Sequence, residues 1–473
     1  MKTIAGISEL LRSRRASAAE IAADCIAAAK AKNPELNALV AITGDEAARA
    51  AEKADRMLSA GDAPELCGVP FILKDNISTA GIATTCASKM LENYVPFYDA
   101  AVWESLKARG AVMIGKGNMD EFAMGSTNGT SYFGPARNAV NPAYAAGGSS
   151  GGVASAVAAG LGAYGIGSDT GGSVRLPASF NGVAGLKPTY GAVSRYGLIA
   201  YASSLDQIGP IASNVSDLAV VFDAITGRDA RDMTSRDAET ASDKLAGGIR
   251  GMRIGIADEF FENLSGEIAS ALEDAARALE AAGAVRVSVK FPRLRDALPA
   301  YYVIACAEAS SNLGRYDGLR YGHRAAESAD LEDFVARTRS EGFGDEARRR
   351  IMLGTYVLSA GYYDAFYNKA LLIRRAVRND FRRVFETADV LLTPTAHVTA
   401  PLVGAELSPT ETYLTDICTV PVNIAGVPAV SVPCGTGKNG LPIGAQLIGR
   451  HFREYEILRA ALAVEAAYGG TAI

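Results

Sequence analysis

Two short segments rich in serine and glycine lie near the middle of the 473-residue chain. The first is Gly147-Gly-Ser-Ser-Gly-Gly152, and the second is Ser168-Asp-Thr-Gly-Gly-Ser-Val-Arg175. Glycine lets backbone amides converge on a bound group because no Cβ obstructs the approach. Serine adds a hydroxyl that can become a nucleophile. The two segments therefore predict a backbone-lined site, with Ser149, Ser150 and Ser173 as the candidate nucleophiles.

Two familiar kinds of glycine-rich site fit these segments poorly. A phosphate-binding loop requires G-x-x-x-x-G-K-[ST], or G-x-G-x-x-G opening a helix after a strand. No Lys-Ser or Lys-Thr pair follows either segment. The hydrolase elbow G-x-S-x-G is matched around Ser149 and Ser150, but it needs a downstream histidine as the base. The chain has three histidines, none in a supporting sequence context: His323, His397 and His451.

A third chemistry needs no histidine. A serine can be activated by a neutral lysine when burial lowers the pKa of that lysine toward neutrality. Lys74 ends the strand-like run Val69-Pro-Phe-Ile-Leu73, where such burial is expected. A second serine could relay the proton, and backbone amides just before Ser173 could bind an oxyanion. The predicted oxyanion donors are the amides of Thr170, Gly171 and Gly172. Together these residues predict acyl transfer by two serines and a lysine.

The remaining sequence has the pattern of an α/β protein. Ser17-Ala-Ala-Glu20 is a capping box, which predicts a helix within a largely helical segment 1–60. Further along, helix-like and strand-like patterns alternate: 101–109 with 111–114, 267–282 with 285–289, and 373–385 with 390–392. Such alternation predicts a sheet covered by helices. No fixed-period repeat and no Pro/Ser-rich linker interrupts the chain, which favours one domain over 1–473. A more peripheral excursion is expected over about 227–345.

Composition narrows the class of protein. Hydrophobic residues make up 49% of the chain, which excludes a disordered protein. The net charge of −5 argues against nucleic-acid binding by this chain, because that requires a clustered basic surface. The longest uncharged stretch, Asn138–Ser168, is too rich in glycine and polar residues for a membrane span. Six cysteines without a CxxC pair and three histidines argue against disulfides and a metal centre. We therefore expect a reduced cytoplasmic protein with no membrane contact, metal or cofactor of its own.

Three motifs identify a resemblance to a known family. Lys74-Asp-Asn76 and the segments 147–152 and 168–175 occur in the order typical of the amidase signature family. The resemblance implies that Ser173 is the nucleophile, Ser149 a bridging serine on a cis peptide, and Lys74 the base. It also implies the amidase-signature fold, an α/β architecture with one large, mixed and largely parallel sheet covered by helices on both faces.

Within that family, the chain resembles the branch that hydrolyses glutamine for tRNA-dependent amidotransferases. The supporting segments are 83–90, 118–125, 185–190, 193–197, 203–210, 307–312, 340–344, 349–354 and 359–364. The resemblance implies that Arg350 binds the α-carboxylate of glutamine, that Asp416 binds its α-ammonium, and that Tyr301 lines the pocket. On the sequence alone, Arg350 could instead belong to an exposed arginine run, 348–350, and Asp416 could be a helix N-cap.

The same resemblance implies partners. Ammonia would pass to a tRNA-binding subunit that amidates Glu-tRNA(Gln) or Asp-tRNA(Asn), with a small linker subunit completing a heterotrimer. ATP and Mg²⁺ would be bound by the partner.

Three departures from the branch keep a second function open. They are Leu176 after Arg175, the segment Met124-Gly-Ser-Thr-Asn-Gly-Thr-Ser131, and Val153. All three are expected near the substrate pocket, so the chain could be a stand-alone amidase for another primary amide. A binding protein without catalysis is disfavoured because Lys74, Ser149 and Ser173 are all present.

Overall fold

The structure is a computed structural model that describes residues 2–61, 63–262, 264–406 and 408–469. In these ranges one sheet of eleven strands runs through the molecule, with the spatial order β1-β3-β2-β4-β6-β5-β10-β11-β9-β7-β8. The strands are β1 Leu39–Ile42, β2 Pro70–Lys74, β3 Val112–Gly117, β4 Tyr164–Asp169, β5 Ala184–Lys187, β6 Gln207–Ala212, β7 Arg253–Ala257, β8 Val285–Val289, β9 Val390–Pro394, β10 Ala429–Thr436 and β11 Pro442–Gly449.

The sheet is mixed, as predicted, but it is not largely parallel. Of its strand pairings, six are antiparallel and four are parallel. The parallel pairs lie in two groups, β3-β2-β4 and β9-β7-β8, and antiparallel strands fill the centre between them. Helix and strand patterns do not show which neighbour a strand pairs with, so the direction of pairing was predicted wrongly.

Fifteen α-helices surround the sheet in the described ranges. They are α1 Ile4–Arg12, α2 Ala18–Leu36, α3 Gly44–Ala60, α4 Ala101–Ala108, α5 Gly151–Ala158, α6 Arg175–Asn181, α7 Val215–Ile225, α8 Gly266–Ala281, α9 Leu294–Asn312, α10 Leu331–Gly342, α11 Asp345–Leu358, α12 Lys369–Thr387, α13 Pro409–Asp416, α14 Val420–Ala425 and α15 Glu454–Tyr468. A short π-helix, Tyr363–Asn368, precedes α12. None of the helices in these ranges is both long and apolar enough to cross a membrane.

Alternating side chains of the central strands belong to two separate hydrophobic clusters. Val390 and Leu392 of β9 pack in one cluster, whereas Leu391 between them packs in the other. Neighbouring residues of a strand point to opposite faces of a sheet. The first cluster includes residues of α2, α7, α8 and α15, and the second includes residues of α9, α11, α12 and α14. Helices therefore cover both faces of the sheet, as predicted.

The predicted N-terminal helix is confirmed with its capping box. The Ser17 side chain accepts the N–H of Glu20, and the Glu20 carboxylate accepts the N–H of Ser17, at the start of α2. The predicted helix–strand units also form: α4 with β3, α8 with β8, and α12 with β9. The segment 1–60 additionally contributes β1, an edge strand of the sheet.

The region predicted as a peripheral excursion, about 227–345, is integral over much of its length. The strands β7 and β8 belong to the main sheet. Helix α9 packs in the second hydrophobic cluster through Ile304 and Ala305. Only the polar part before β7 fits the prediction, with Met233 almost fully exposed. The α/β pattern of this region was visible in the sequence, but its pairing with β9 was not.

The sheet brings the two chemical segments together. Strands β2 and β4 are parallel neighbours, with Leu73 opposite Ile166. The carboxyl ends of parallel neighbours meet at one edge of a sheet, and ligands bind outside that edge in open α/β folds. Strand β2 ends at Lys74, and β4 ends at Asp169, directly before the segment Thr170–Ser173. The fold therefore places Lys74 beside that segment.

Candidate active site

Lys74 lies in a fully buried pocket of serine oxygens. Its Nζ is 2.7 Å from Oγ of Ser149, 2.8 Å from Oγ of Ser150 and 3.2 Å from the carbonyl oxygen of Ser168. The Lys74 side chain has no solvent exposure. The structure thus joins the predicted base to the predicted bridging serine and to Ser150, which was predicted only as one of the candidate nucleophiles.

Burial makes Lys74 suitable as a base near neutral pH. Desolvation lowers the pKa of Lys74 to about 7, although the carboxylates of Asp120, Asp169 and Asp206 act in the opposite direction. Removing an ammonium group from water disfavours its charged form. An amine with a pKa near 7 is partly neutral at physiological pH, so it can accept a proton from a serine hydroxyl.

Ser173 lines a narrow cavity with Gly148 and Gly172. Its carbonyl oxygen accepts the N–H of Ser150 at 3.1 Å, which holds the two glycine-rich segments side by side. The peptide bond between Gly148 and Ser149 is cis, as the resemblance implied. Among the described residues, Oγ of Ser173 has no hydrogen-bond partner, so the contact from Ser149 to Ser173 is not made in this structure. Such contacts often tighten only when substrate binds.

The predicted oxyanion donors are only partly available. The N–H of Gly172 donates to the Asp169 carboxylate at 2.8 Å, and this carboxylate is also paired with Arg175. The amide of Gly172 is therefore engaged, contrary to prediction. The amides of Thr170 and Gly171, and that of Ser173 itself, have no acceptor in the described part of the chain. These three amides lie at or just before Ser173, and they are free to donate to an oxyanion. They therefore suit that role better than the predicted set that includes Gly172.

Two glycines bring the cavity walls together. A Cβ on Gly171 would lie 2.7 Å from Oη of Tyr301, and a Cβ on Gly148 would lie 1.9 Å from Oδ2 of Asp120. Neither position can carry a side chain without displacing its neighbour. Tyr301 therefore lies against the backbone of the predicted oxyanion segment, and it lines the cavity as the resemblance implied.

Arg350 is buried and lines the same cavity. Its Nε donates to Glu346 at 2.6 Å, and its Nη1 donates to the hydroxyl of Tyr201. The guanidinium also lies over the rings of Tyr201 and Tyr302, at 5.5 and 5.4 Å. Its Nη2 has no acceptor among the described residues. Arg350 thus has one nitrogen free for a carboxylate, whereas Arg348 and Arg349 form surface ion pairs.

Asp416 is the last residue of α13 and faces the same cavity. Burial raises the pKa of its carboxyl to about 7, although the hydrogen bond from Ser126 and the charge of Arg350 lower it. Oγ of Ser126 is 3.1 Å from both carboxylate oxygens. The next helix, α14, begins after Thr419, so Asp416 is not its N-cap. The lining of the cavity therefore includes both a carboxyl group and a guanidinium.

Two polar residues of this cavity were not predicted as site residues, and two residues expected near it do not line it. Ser126 and Tyr302 line it. Ser126 belongs to the segment 124–131 that was noted as a departure, and Tyr302 adjoins the predicted Tyr301. Leu176, expected near the pocket, instead packs in a separate cluster with Phe180 and Leu441. The departure at Leu176 therefore does not line the cavity.

Val153 also lies away from the cavity and packs against strand glycines. A Cβ on Gly117 would lie 2.6 Å from a methyl carbon of Val153, and a Cβ on Gly165 would lie 2.3 Å from the other. This residue fills the space between α5 and the sheet. Of the three departures, only the segment 124–131 reaches the cavity.

The alternative with a histidine base has no support in the geometry. His323 contacts Glu341, and His397 contacts the carbonyl oxygen of Phe260. His451 lines a different cavity, beside Arg378. None of the three lines the cavity that contains Ser173. In the described ranges, no group of three or more His, Cys, Asp or Glu side chains could hold a metal ion.

Comparison with known proteins agrees with this site. A mixed α/β fold that joins a buried lysine to serines on glycine-rich loops has the groups that amide hydrolysis by serine would need without a histidine base. A family model described as Amidase matches residues 20–458. The chain belongs to this family.

Particular relatives narrow the comparison. The chain is 51% identical over 470 residues to the glutamyl-tRNA(Gln) amidotransferase A subunit of Caldanaerobacter subterraneus subsp. tengcongensis, covering 98% of this chain and 96% of that protein. It is 49% identical over 462 residues to the protein of the same name from Neisseria meningitidis serogroup C, covering 97% and 96%. The crystal structure of the protein of that name from Thermotoga maritima is similar with a TM-score of 0.81 and 40% identity, over 98% of this chain and 94% of that one.

Proposed function

We propose that this chain is the glutamine-hydrolysing subunit of a tRNA-dependent amidotransferase. The observation that carries the proposal is the presence of Arg350 and Asp416, of opposite charge, in the cavity that also holds Ser173. Glutamine has an α-carboxylate and an α-ammonium at one end and a carboxamide at the other. It therefore needs one cation, one anion and an oxyanion hole. The names of the relatives at 49% and 51% identity support the same function.

The proposed reaction uses Lys74 and Ser149 as a proton relay. Neutral Lys74 accepts the proton of Ser149, and Ser149 accepts the proton of Ser173. The Ser173 oxygen attacks the carboxamide carbon of glutamine, and backbone amides bind the resulting oxyanion. The carbon–nitrogen bond then breaks, the relayed proton returns to the leaving nitrogen, and ammonia departs. Water attacks the acyl-enzyme by the same relay, which releases glutamate and restores Ser173.

We further propose that the ammonia passes to a partner subunit that amidates Glu-tRNA(Gln) or Asp-tRNA(Asn). That subunit binds the tRNA, ATP and Mg²⁺, and a small linker subunit completes a heterotrimer. The names of the relatives support an amidotransferase assembly. The net charge of −5 supports tRNA binding by the partner. Affinity purification of the full chain from its own cells tests the proposal, since both partners should co-purify in fixed proportion.

An assay of the purified chain on glutamine and on a panel of aliphatic and aryl amides tests the substrate. Glutamine is expected to have the highest kcat/KM of the panel. The second candidate function, a stand-alone amidase, rests on the altered segment 124–131, which reaches the cavity at Ser126. A neutral aliphatic or aryl amide preferred over glutamine would establish that function instead.

Replacing Arg350 by alanine is expected to impair glutamine hydrolysis selectively. Removing one partner of a desolvated ionic contact typically costs about 2–5 kcal/mol. A primary amide without an α-carboxylate never makes this contact, so its kcat/KM should fall much less. Steady-state kinetics of the variant on both substrates measures the difference.

Asp416→Ala provides the complementary measurement. It should impair substrates that carry an α-ammonium more than those that lack one.

Arg337→Ala is a matched control for the arginine variant, because Arg337 forms an i,i+4 ion pair with Asp333 on the exposed surface of α10. Equal losses on both kinds of substrate in the Arg350 variant would show that Arg350 supports the fold and does not bind the carboxylate.

The pH dependence of kcat/KM should differ between substrates. Both Lys74 and Asp416 have a pKa of about 7 and must be deprotonated, Lys74 to act as a base and Asp416 to bind an ammonium. Activity is therefore lost as the pH falls through 7. Below pH 6 the logarithm of kcat/KM should rise with a slope of about two for glutamine and about one for a neutral amide. Asp416→Asn should reduce the glutamine slope to about one, and an unchanged slope would contradict the assignment.

A further inference from the structure

Asp206 is a buried carboxylate outside the cavity that connects two of its walls. It directly precedes β6, whose first residue, Gln207, is paired with Asp169 at the end of β4. Its side chain is 2% exposed, and it does not line the cavity. In the described ranges it forms no ion pair, so hydrogen bonds and the more distant charge of Arg195 stabilise the carboxylate. Burying a carboxylate without an ion-pair partner costs free energy of folding. We therefore expect Asp206 to have a specific role.

The first set of hydrogen bonds closes a turn. Oδ2 of Asp206 accepts the N–H of Tyr201 at 2.9 Å and the N–H of Ala202 at 3.0 Å. The N–H of Asp206 donates to the carbonyl oxygen of Ala202 at 2.8 Å. These contacts fix the backbone of residues 201–206, and therefore the point from which the Tyr201 side chain extends. Tyr201 extends to Arg350, because its hydroxyl accepts Nη1 of that residue.

The second contact leads to the predicted oxyanion segment. Oδ1 of Asp206 accepts the hydroxyl of Thr170 at 2.6 Å. Thr170 directly precedes Gly171, and it lies three residues before Ser173. A continuous chain of contacts therefore runs from Thr170 through Asp206 and Tyr201 to Arg350.

We propose that Asp206 is a positioning residue that fixes the spacing between the oxyanion donors and the carboxylate-binding guanidinium. The distance between the oxyanion donors after Thr170 and the guanidinium of Arg350 would then be set by one carboxylate, which selects substrates whose carboxylate and carboxamide lie that far apart. Reacting groups must be held within a fraction of an ångström, and a displacement of 1 Å can cost about 100-fold in rate. The proposal rests on the proposed function, since it takes Arg350 as the binding group for the α-carboxylate.

Asp206→Asn tests the proposal because it keeps the size of the side chain. The amide oxygen can still accept the two N–H groups of the turn, whereas the amide nitrogen replaces the acceptor for Thr170. We expect kcat to fall about 10- to 100-fold on glutamine and on a neutral primary amide. KM should rise about tenfold for glutamine alone, because a neutral amide oxygen holds the N–H groups of Tyr201 and Ala202 more weakly than a carboxylate does, and Tyr201 then holds Arg350 less firmly.

Tyr201→Phe separates the contact with Arg350 from the contact with Thr170. It removes only the hydroxyl that contacts Arg350, so the glutamine KM should rise while kcat on the neutral amide stays close to that of the wild type. If Asp206 acts on Arg350 through Tyr201, the rise in KM should not be additive in the double variant. Additive effects would overturn this connection.

Asp217→Asn is the matched structural control. Asp217 is another buried carboxylate that accepts a backbone N–H, that of Ile4, and it lies on α7 away from the cavity. The control should lower the melting temperature without changing the ratio of kcat/KM between glutamine and the neutral amide. The proposal fails if Asp206→Asn also leaves this ratio unchanged while the wild type prefers glutamine. If the wild type shows no preference for glutamine, the proposed function fails, and the fall in kcat on the neutral amide still tests the contact with Thr170.

Discussion

Replacement of Ser173 by alanine is expected to reduce amide hydrolysis at least about a thousandfold, a rise of about 4 kcal/mol in the activation barrier. The change removes the attacking oxygen and leaves the backbone amides around it in place. Ser173 is 7% exposed and its hydroxyl has no hydrogen-bond partner in the described ranges, so its loss should not destabilise the fold. Turnover of glutamine and thermal unfolding of the same preparation provide the two measurements.

Ser155→Ala is the matched control for the loss of a buried hydroxyl. Ser155 lies on α5, one helical turn beyond the glycine-rich segment, and donates to the carbonyl oxygen of Arg137. This variant should retain turnover. A fluorophosphonate probe should label the wild type and the control but not the Ser173 variant. Turnover above about a thousandth of the wild-type value in the Ser173 variant would show that another group is the nucleophile.

The local elements of this fold could be predicted because their signals are local. The capping box of Ser17 and Glu20, and the apolar stripe of α8, involve residues a few positions apart. The order of the strands depends on contacts that have no such signal. Gln207 of β6 lies opposite Asp169 of β4, and Ala445 of β11 lies opposite Pro394 of β9. Both pairs are antiparallel and distant in sequence, which explains why a largely parallel sheet was predicted.

Lys74 and the segment Thr170–Ser173 share one region because Lys74 ends β2 and the segment follows β4, its parallel neighbour. The polar cavity could not be read from local patterns in the same way. In the run 348–350, two arginines are indeed on the surface, as such runs usually are, and only Arg350 turns inward. Asp416 looked like an N-cap because an apolar stretch follows it, but its carboxylate accepts a hydrogen bond from Ser126, which is 290 positions away. Contacts of that separation follow only from the assembled fold.

The prediction of the oxyanion donors failed at one residue for a different reason. Three consecutive amides before Ser173 were predicted to be free, yet the Asp169 carboxylate takes the one of Gly172. Aspartate commonly accepts a backbone N–H a few residues ahead of it. The sequence therefore contained this signal at Asp169. The prediction treated every glycine amide in the segment as facing the substrate, whereas that of Gly172 faces Asp169.

Replacement of Lys74 by alanine is expected to be about as damaging as the loss of Ser173. Without the amine, neither Ser149 nor Ser173 has a group that can accept its proton at neutral pH. Residues that act as one relay show non-additive losses, so the variant lacking both Lys74 and Ser173 should be no slower than either single variant. Kinetics of the three variants test this directly. By contrast, alanine at His323, His397 or His451 should leave turnover close to that of the wild type.

A second buried lysine separates the role of Lys74 from a general effect of burial. Lys187 also has its pKa lowered to about 7 by desolvation, but its Nζ donates to Gln207 and to the carbonyl oxygen of Pro188, and it does not contact the candidate serines. Lys187→Met should keep the midpoint of the pH profile near 7. On a neutral primary amide, whose hydrolysis does not depend on Asp416, the residual activity of Lys74→Ala should lose that midpoint, since the titrating amine is gone. If the midpoint persists without Lys74 and disappears without Lys187, then Lys187 is the base. That result would contradict the proton relay through Ser149.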